Sequence, residues 1–299
     1  MTNFLPTATD AEEEARDARF AILPVGSFEQ HGSYLPLSTD TLIACAVSKE
    51  LVSAYDVFML PPVTVSCSHE HSTWRGTVSI SSRTLQAIVD DVYRSVAASG
   101  YQSLVIVNAH GGNYALSHVV QEGSSQGKSI ALFPARDDWE EARRKGNLTT
   151  SDHEDMHAGE LETSILLYAC PDLVKVGYQS ADWTADNRRD LLTVGMRGYS
   201  DSGVIGRPSL ATAEKGKALL GSLTESFARV LEVLDSLRET RQTLCVRNWL
   251  RLCCHVSFPS ALPPARWRWA RQARRQACPT SKSGTADGAA APASLWSSG

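Results

Sequence analysis

The stretch Gly26–Asp40, GSFEQHGSYLPLSTD, places Glu29, His31 and Asp40 within twelve positions broken by glycine and proline. Such a segment makes neither a good helix nor a clean strand. Irregular backbone at the end of an apolar run is where sites are commonly built. In extended backbone Glu29 and His31 project to the same side, because side chains repeat every two residues. Asp40, beyond a proline-containing turn, can fold back beside them. Two further segments carry the same residue types: NAHGGN, from Asn108 to Asn113, and DMHAGELETS, from Asp155 to Ser164. Seven of the eight histidines fall between His31 and His157. A histidine with two carboxylates, joined by a histidine from another strand end, suits zinc, iron(II) or manganese. Two such ions sharing one carboxylate would form a binuclear centre, where water would lose a proton near neutral pH and attack a carbonyl.

Each piece taken alone has a plainer reading. HGG makes a tight turn, Asp40 makes an N-cap for a helix beginning near Thr41, and Glu160 is an exposed acid at a helix start, where the dipole favours it. The joint pattern is what points to a metal.

The elements that must position these residues follow from periodicity. ARFAILPVGS reads as a buried strand closed by Pro24 and Gly26, and DTLIACAVSKELVSA as a helix. SRTLQAIVDDVYRSVAASG aligns Leu85, Ile88, Val89, Val92 and Val96 on one helical face, with Gly100 as its C-terminal cap. SLVIVNAHGGN is an apolar strand running straight into His110. YALSHVVQEGSSQG then reads as helix, SIALFPA as strand and HAGELETSILLYACP as a helix start. The stretch from Ala211 to Arg241 is a long amphipathic helix with Leu220, Leu223, Phe227, Val230, Leu231 and Leu234 facing inward. This alternation predicts an α/β fold with a mostly parallel sheet. Ligands in such sheets bind beyond the carboxyl ends of the strands, and His31 and His110 both fall on that edge.

Composition narrows the function classes. Of 299 residues, 42% are hydrophobic and 21% charged, ordinary for a chain with a substantial core. The net charge of −4 conceals a split: nine basic residues and one acid follow Glu239, leaving 20 bases against 32 acids before them. An acidic body is a poor partner for nucleic acid. No apolar run is long enough for a membrane span, and the acidic N-terminus lacks the blocks of a signal peptide. Cys45, Cys67 and Cys170 are scattered, which favours a reducing, cytoplasmic setting. Residues 1–19 read as a polar leader and 20–241 as the folded domain. Residues 242–299 hold four of the seven tryptophans and four of the seven cysteines without periodicity, and read as a basic, low-order or frame-shifted tail.

LPVGSFEQHGSYLPLSTDT, VNAHGGN and HAGELETS, in this order, resemble the creatininase family, and HEHSTWRGTVSI and GVIGRPSLATAEKGK are similar to further segments of it. The resemblance covers about residues 20–240. It implies a three-layer α/β/α fold, homo-oligomers that are often hexamers, and a binuclear centre hydrolysing unusual C–N bonds of a small amide, cyclic amide or formamide. It further implies that Glu29, Asp40 and His110 hold one metal, that His31 and Asp40 hold the other, and that His157 is catalytic. In creatininase itself the glycine pair of HGGN is replaced by Tyr-Glu, whose Glu is a ligand. Gly111 and Gly112 therefore argue against a true creatininase and leave Glu162, ahead of Glu160, to supply the missing carboxylate. Gly111 and Gly112 let backbone approach substrate or metal closely. Asn108, Asn113 and His71 are expected in supporting or substrate-facing positions, with His71 near the pocket mouth and His69 on an exposed loop. A peptidase of the mycofactocin-maturation type, or a scaffold without activity, is the alternative function.

Overall fold

The computed structural model describes residues 4–255, with side chains as far as Thr240. Four strands, β1 (Phe20–Val25), β2 (Val57–Met59), β3 (Ser103–Asn108) and β4 (Ile130–Phe133), form a parallel sheet in the order β2-β1-β3-β4. The helices are α1 (Asp10–Arg16), α2 (Thr39–Ala54), α3 (Ser82–Ala98), α4 (Ala115–Ser125), α5 (Arg136–Lys145), α6 (Glu160–Ala169), the single turn α7 (Leu191–Val194) and α8 (Ala213–His255).

All six residues of β1 are buried, as a central parallel strand covered on both faces requires. Alternate positions feed two separate cores. Phe20, Ile22, Val105, Val107 and Phe133 pack with Ile43, Val47 and Leu51 of α2, Ile165 of α6, and Leu219, Leu223 and Phe227 of α8. Ala21, Leu23, Val25, Leu104 and Ile106 pack with Leu85, Val89 and Val96 of α3 and Leu116 and Val119 of α4. The expected α/β/α layering is thus built by the two-residue period of the strands.

From β1 the chain steps through α2 to β2 on one side, then returns through α3 to β3 on the other. The strand order therefore reverses between β1 and β3, which opens a crevice beyond their carboxyl ends. The loops carrying Glu29–His31 and Asn108–Asn113 both leave from that point.

The N-terminal leader contains α1, whose cap Thr9 exchanges hydrogen bonds with Glu12. Arg19 makes paired bonds of 2.6 and 2.9 Å to Asp235 of α8. The backbone of α8 continues past residue 242 to His255; the rest of the expected tail, 256–299, lies outside the described residues. Among the described residues, no helix is long and apolar enough to cross a membrane.

Phe227 ties α8 to the sheet, with its ring 5.1 Å from Phe133 edge-on and 5.5 Å from Tyr55. Phe227→Ala is expected to cost about 4 kcal/mol, the usual penalty for emptying a buried aromatic site, read as a lower denaturation midpoint in urea.

Candidate metal centre

Gly26 ends β1, and a Cβ there would overlap the backbone of Asp40 and Thr41. Only glycine lets the first turn of α2 sit directly on the strand end. Thr41 Oγ1 seals the contact by donating to Ser27 O at 3.1 Å. The N-cap of α2 is Ser38, so Asp40 lies in the first turn rather than capping it. Its carboxylate is free to turn inward, where Ser27 Oγ donates to Oδ2 at 2.7 Å.

Around Asp40 the structure gathers residues from every motif. His31 Nε2 lies 3.0 Å from Asp40 Oδ1 and 3.9 Å from Glu162 Oε2. His110 Nδ1 lies 2.9 Å from Asp40 Oδ2, and its Nε2 lies 3.2 Å from Glu29 Oε2. His71 Nε2 and His157 Nδ1 approach Glu29 Oε1 at 3.2 and 3.8 Å. Glu29 and His31 are 0% exposed and Asp40 1%. Among the described residues, three sets have ligand atoms within 4.8 Å of one another: Glu29, Asp40 and His110; His31, Asp40 and Glu162; and Glu29, His31 and His157.

The donor chemistry of these side chains fits a cation. His31 Nδ1 lies 3.1 Å from Glu29 O and His110 Nε2 lies 2.8 Å from Cys67 O. A carbonyl can only accept, so each ring places a proton there, and the remaining nitrogen faces Asp40. In a neutral imidazole that nitrogen is bare, and a bare nitrogen about 3 Å from a carboxylate is repulsive unless positive charge lies between them. Glu29 poses the same demand: it is fully buried, and neither oxygen has a hydrogen bond among the described residues. The imidazole contacts at 3.2 Å are proximity without bonding geometry.

Without a cation, protons supply the charge. Burial lowers the pKa of His31 and His110, but Asp40 and Glu29 outweigh it and raise them to about 9 and about 10. Burial opposes ionisation of Asp40, yet His31 and His110 hold it well below the usual carboxylate range. Burial pushes Glu29 up to about 7 and Glu162 to about 8. His157, buried and beside His31 and His71, is held well below the ordinary histidine value and is a neutral base.

Beyond β3, Asn108 Nδ2 donates to His110 O at 2.9 Å, and Asn113 Nδ2 donates to Asn108 Oδ1 at 2.9 Å. Asn113 Oδ1 accepts from Cys67 N at 3.2 Å. The two asparagines thus clamp the turn that carries His110. Gly111 has open space around it, whereas a side chain at Gly112 would overlap the Glu70 carboxylate and His110 Nε2. Before α6, Ala158 adopts φ 54°, a left-handed conformation rare outside glycine. Its N–H donates to Glu162 Oε2 at 2.5 Å and its carbonyl accepts from Tyr34. This bend brings His157 and Glu162 to one place.

Glu160 does not join them. It is fully buried, not exposed as expected, and accepts from Thr149 N, Thr150 N at 3.0 Å and Thr150 Oγ1 at 2.6 Å, and from Lys215 Nζ. His71 is buried inside the cluster at 2% exposure rather than at a pocket mouth. Two residues escaped the sequence reading. Glu70 Oε1 lies 3.8 Å from His110 Nε2, signalled only by its place between His69 and His71. Gln30 lies between Glu29 and His31 in the motif and contacts both His71 and His157. A cavity of about 750 Å3 opens beside His110 and Glu162, lined also by Ile43, Tyr114, Trp139 and Leu161.

A family model described as creatininase, creatinine amidohydrolase, matches residues 6–231. The chain belongs to the creatininase family. As a creatininase-family member it is an amidohydrolase, a hydrolase of C–N bonds. It is 32% identical over 226 residues to the mycofactocin precursor peptide peptidase of Mycobacterium tuberculosis, covering 70% of this chain and 82% of that one. The counterpart from Mycolicibacterium smegmatis is 33% identical over 217 residues, covering 69% and 82%. Creatinine amidohydrolase of Pseudomonas putida is 25% identical over 265 residues, covering 79% and 96%. Among solved structures, the one described as Creatininase Mn shares the fold with a TM-score of 0.61 at 24% identity, covering 78% of this chain and 96% of its own.

Asp40→Asn is expected to abolish tight uptake of divalent cations, since every candidate set except one uses this carboxylate; elemental analysis after dialysis reads it, and undiminished metal would refute the cluster. Glu160→Gln is expected to keep its metal but lose about 2 kcal/mol of stability, the scale of hydrogen bonds to a buried charge. Burial raises the Glu160 pKa, but Lys215, Thr150 and Thr149 outweigh it and lower it overall. The wild-type advantage should therefore be complete above the unfolded value near 4.3 and fade as pH falls through the lower folded value, measured by urea melts of both proteins.

Proposed function

We propose that the chain is a binuclear, metal-dependent hydrolase that cleaves an amide bond of a precursor peptide. The observation that carries this reading is the cavity of about 750 Å3 beside His110 and Glu162. It lies in the upper range of ligand pockets, and Trp139, Tyr114, Leu161 and Ile43 offer apolar surface for peptide side chains. The 32–33% identity to precursor-peptide peptidases, against 25% to a creatinine amidohydrolase, favours the same substrate class over a small cyclic amide or formamide.

Glu29, Asp40 and His110 would hold one divalent cation, and His31, Asp40 and Glu162 the other, with Asp40 shared. Zinc suits the mixed nitrogen and carboxylate donors best; iron(II) and manganese also fit. When bound, such ions polarise a carbonyl and lower the pKa of water toward neutrality. His157 is the proton carrier. As a neutral imidazole it takes a proton from the attacking water and delivers it to the departing nitrogen. The hydroxyl ends on the acyl fragment and the hydrogen on the amine, so the reaction balances.

The test is to load the full chain with zinc or manganese and offer mycofactocin precursor peptide, creatinine and an N-formyl amide in parallel. Peptide cleavage is expected, with kcat reduced about 10²- to 10⁴-fold in His157→Ala at unchanged metal content. Turnover of creatinine or the formamide alone would overturn the peptide reading, and loss of metal in His157→Ala would make that residue a ligand.

A further inference from the structure

Gln30 has no ligand role in the centre, yet it is 5% exposed and every polar atom of its side chain is engaged. Its Oε1 accepts from Gly32 N at 3.0 Å. Its Nε2 donates to Gly203 O at 3.1 Å and contacts His71 Nδ1 at 2.9 Å. Gly32 N–H can only donate and Gly203 O can only accept, so the amide cannot be turned over. Gly203 has φ +85°, and a Cβ there would overlap the Gln30 amide, so the loop is shaped to receive this side chain.

That orientation dictates the protons on two histidines. His71 Nδ1 faces an N–H, so it must be the acceptor. The neutral ring therefore carries its proton on Nε2, turned toward Glu29 Oε1 at 3.2 Å. His157 Nε2 lies 2.7 Å from the Gln30 backbone carbonyl, which can only accept, so this nitrogen is protonated. The 3.2 Å approach of Gln30 Nε2 to His157 Nε2 is then a meeting of two donors without a bond, because both amide protons are already placed. His157 is left with a bare Nδ1, facing Glu29 Oε1 at 3.8 Å. Its ring lies 4.2 Å from His31 and 4.4 Å from His71, centroid to centroid, so it has little room to rotate.

We propose that Gln30 is a positioning residue that fixes both tautomers, so that His157 exchanges protons through Nδ1 and His71 turns a protonated Nε2, not a bare ligand nitrogen, toward Glu29. A proton accepted at Nδ1 gives an imidazolium whose Nε2–H stays bonded to Gln30 O. The proton leaves by the atom it entered, so what His157 takes from water it returns within the same site. Only this kinetic consequence rests on the hydrolase reading; the tautomers stand apart from it.

Solid-state 15N NMR of the full zinc-loaded chain, labelled at histidine and assigned with His71→Asn and His157→Asn, reads the protons directly. The expected spectrum shows protonated Nε2 and bare Nδ1 for both residues. A proton on Nδ1 of either would overturn the assignment. In Gln30→Glu the carboxylate can only accept, so the His71 proton should move to Nδ1 while His157 keeps its proton on Nε2. At saturating zinc kcat should fall about 10- to 100-fold, as for other outer-sphere partners of metal sites. An unmoved His71 proton, or a moved one with full kcat, would refute the role given to Gln30. Should the variant not fold, the wild-type spectrum alone decides. The expected spectrum in a protein that hydrolyses none of the substrates would sink the hydrolase reading and leave the tautomer assignment intact.

Discussion

Three carboxylates, Glu29, Asp40 and Glu162, meet the rings of His31, His71, His110 and His157 in a buried space that opens to the cavity on the side of Glu162 and His110. Charge of that density cannot be buried without compensation. Nearly every local feature around it answers to this constraint. Backbone carbonyls of Glu29 and Cys67 draw protons outward, Ser27 steadies Asp40, and the bare nitrogens face the centre. The cluster costs stability unless positive charge enters it. That makes it a device for holding cations and poor cement for a fold.

The fold supplies what the cluster cannot. Two apolar cores on opposite faces of the sheet fix β1 and β3, and the reversal of strand order leaves their ends open to ligands. Gly26 and Gly203 then bring two loops closer than ordinary side chains allow, and the bend at Ala158 turns a third inward. Glycine serves by having no Cβ at Gly26 and Gly203, while Ala158 is held in a left-handed bend by Tyr34 and Glu162.

The layered architecture was legible because burial leaves its mark in the chain: unbroken apolar runs for β1 and β3, and a period near 3.6 for α3 and α8. The residues of the cluster were legible as types, since few purposes besides metal binding gather histidines and carboxylates at strand ends. The choice between Glu160 and Glu162 was not a matter of type. Positions two apart on a helix point about 200° away from each other, so one reaches the crevice while its neighbour is buried against Thr150 and Lys215. Gln30 was hidden for another reason. A neutral amide matters only through the directions of its hydrogen bonds, which depend on Gly203, 173 positions away in sequence. Glu70 was likewise obscured, because its place depends on a missing side chain at Gly112.

The contact at Gly26 also divides the site mechanically. With no slack between the strand end and the first turn of α2, Asp40 moves only when the central sheet moves; this half is an anvil. The opposite half, carrying His157, rests on a different support: backbone bonds with Ile205 at 2.9 and 3.0 Å, the Ala158 contacts to Tyr34 and Glu162, and ring contacts to His31 and His71. The site is thus clamped from two sides, one fixed to the sheet and the other to the segment around Ile205. Its donors are ordered by folding, so little of that entropy cost falls on the binding step.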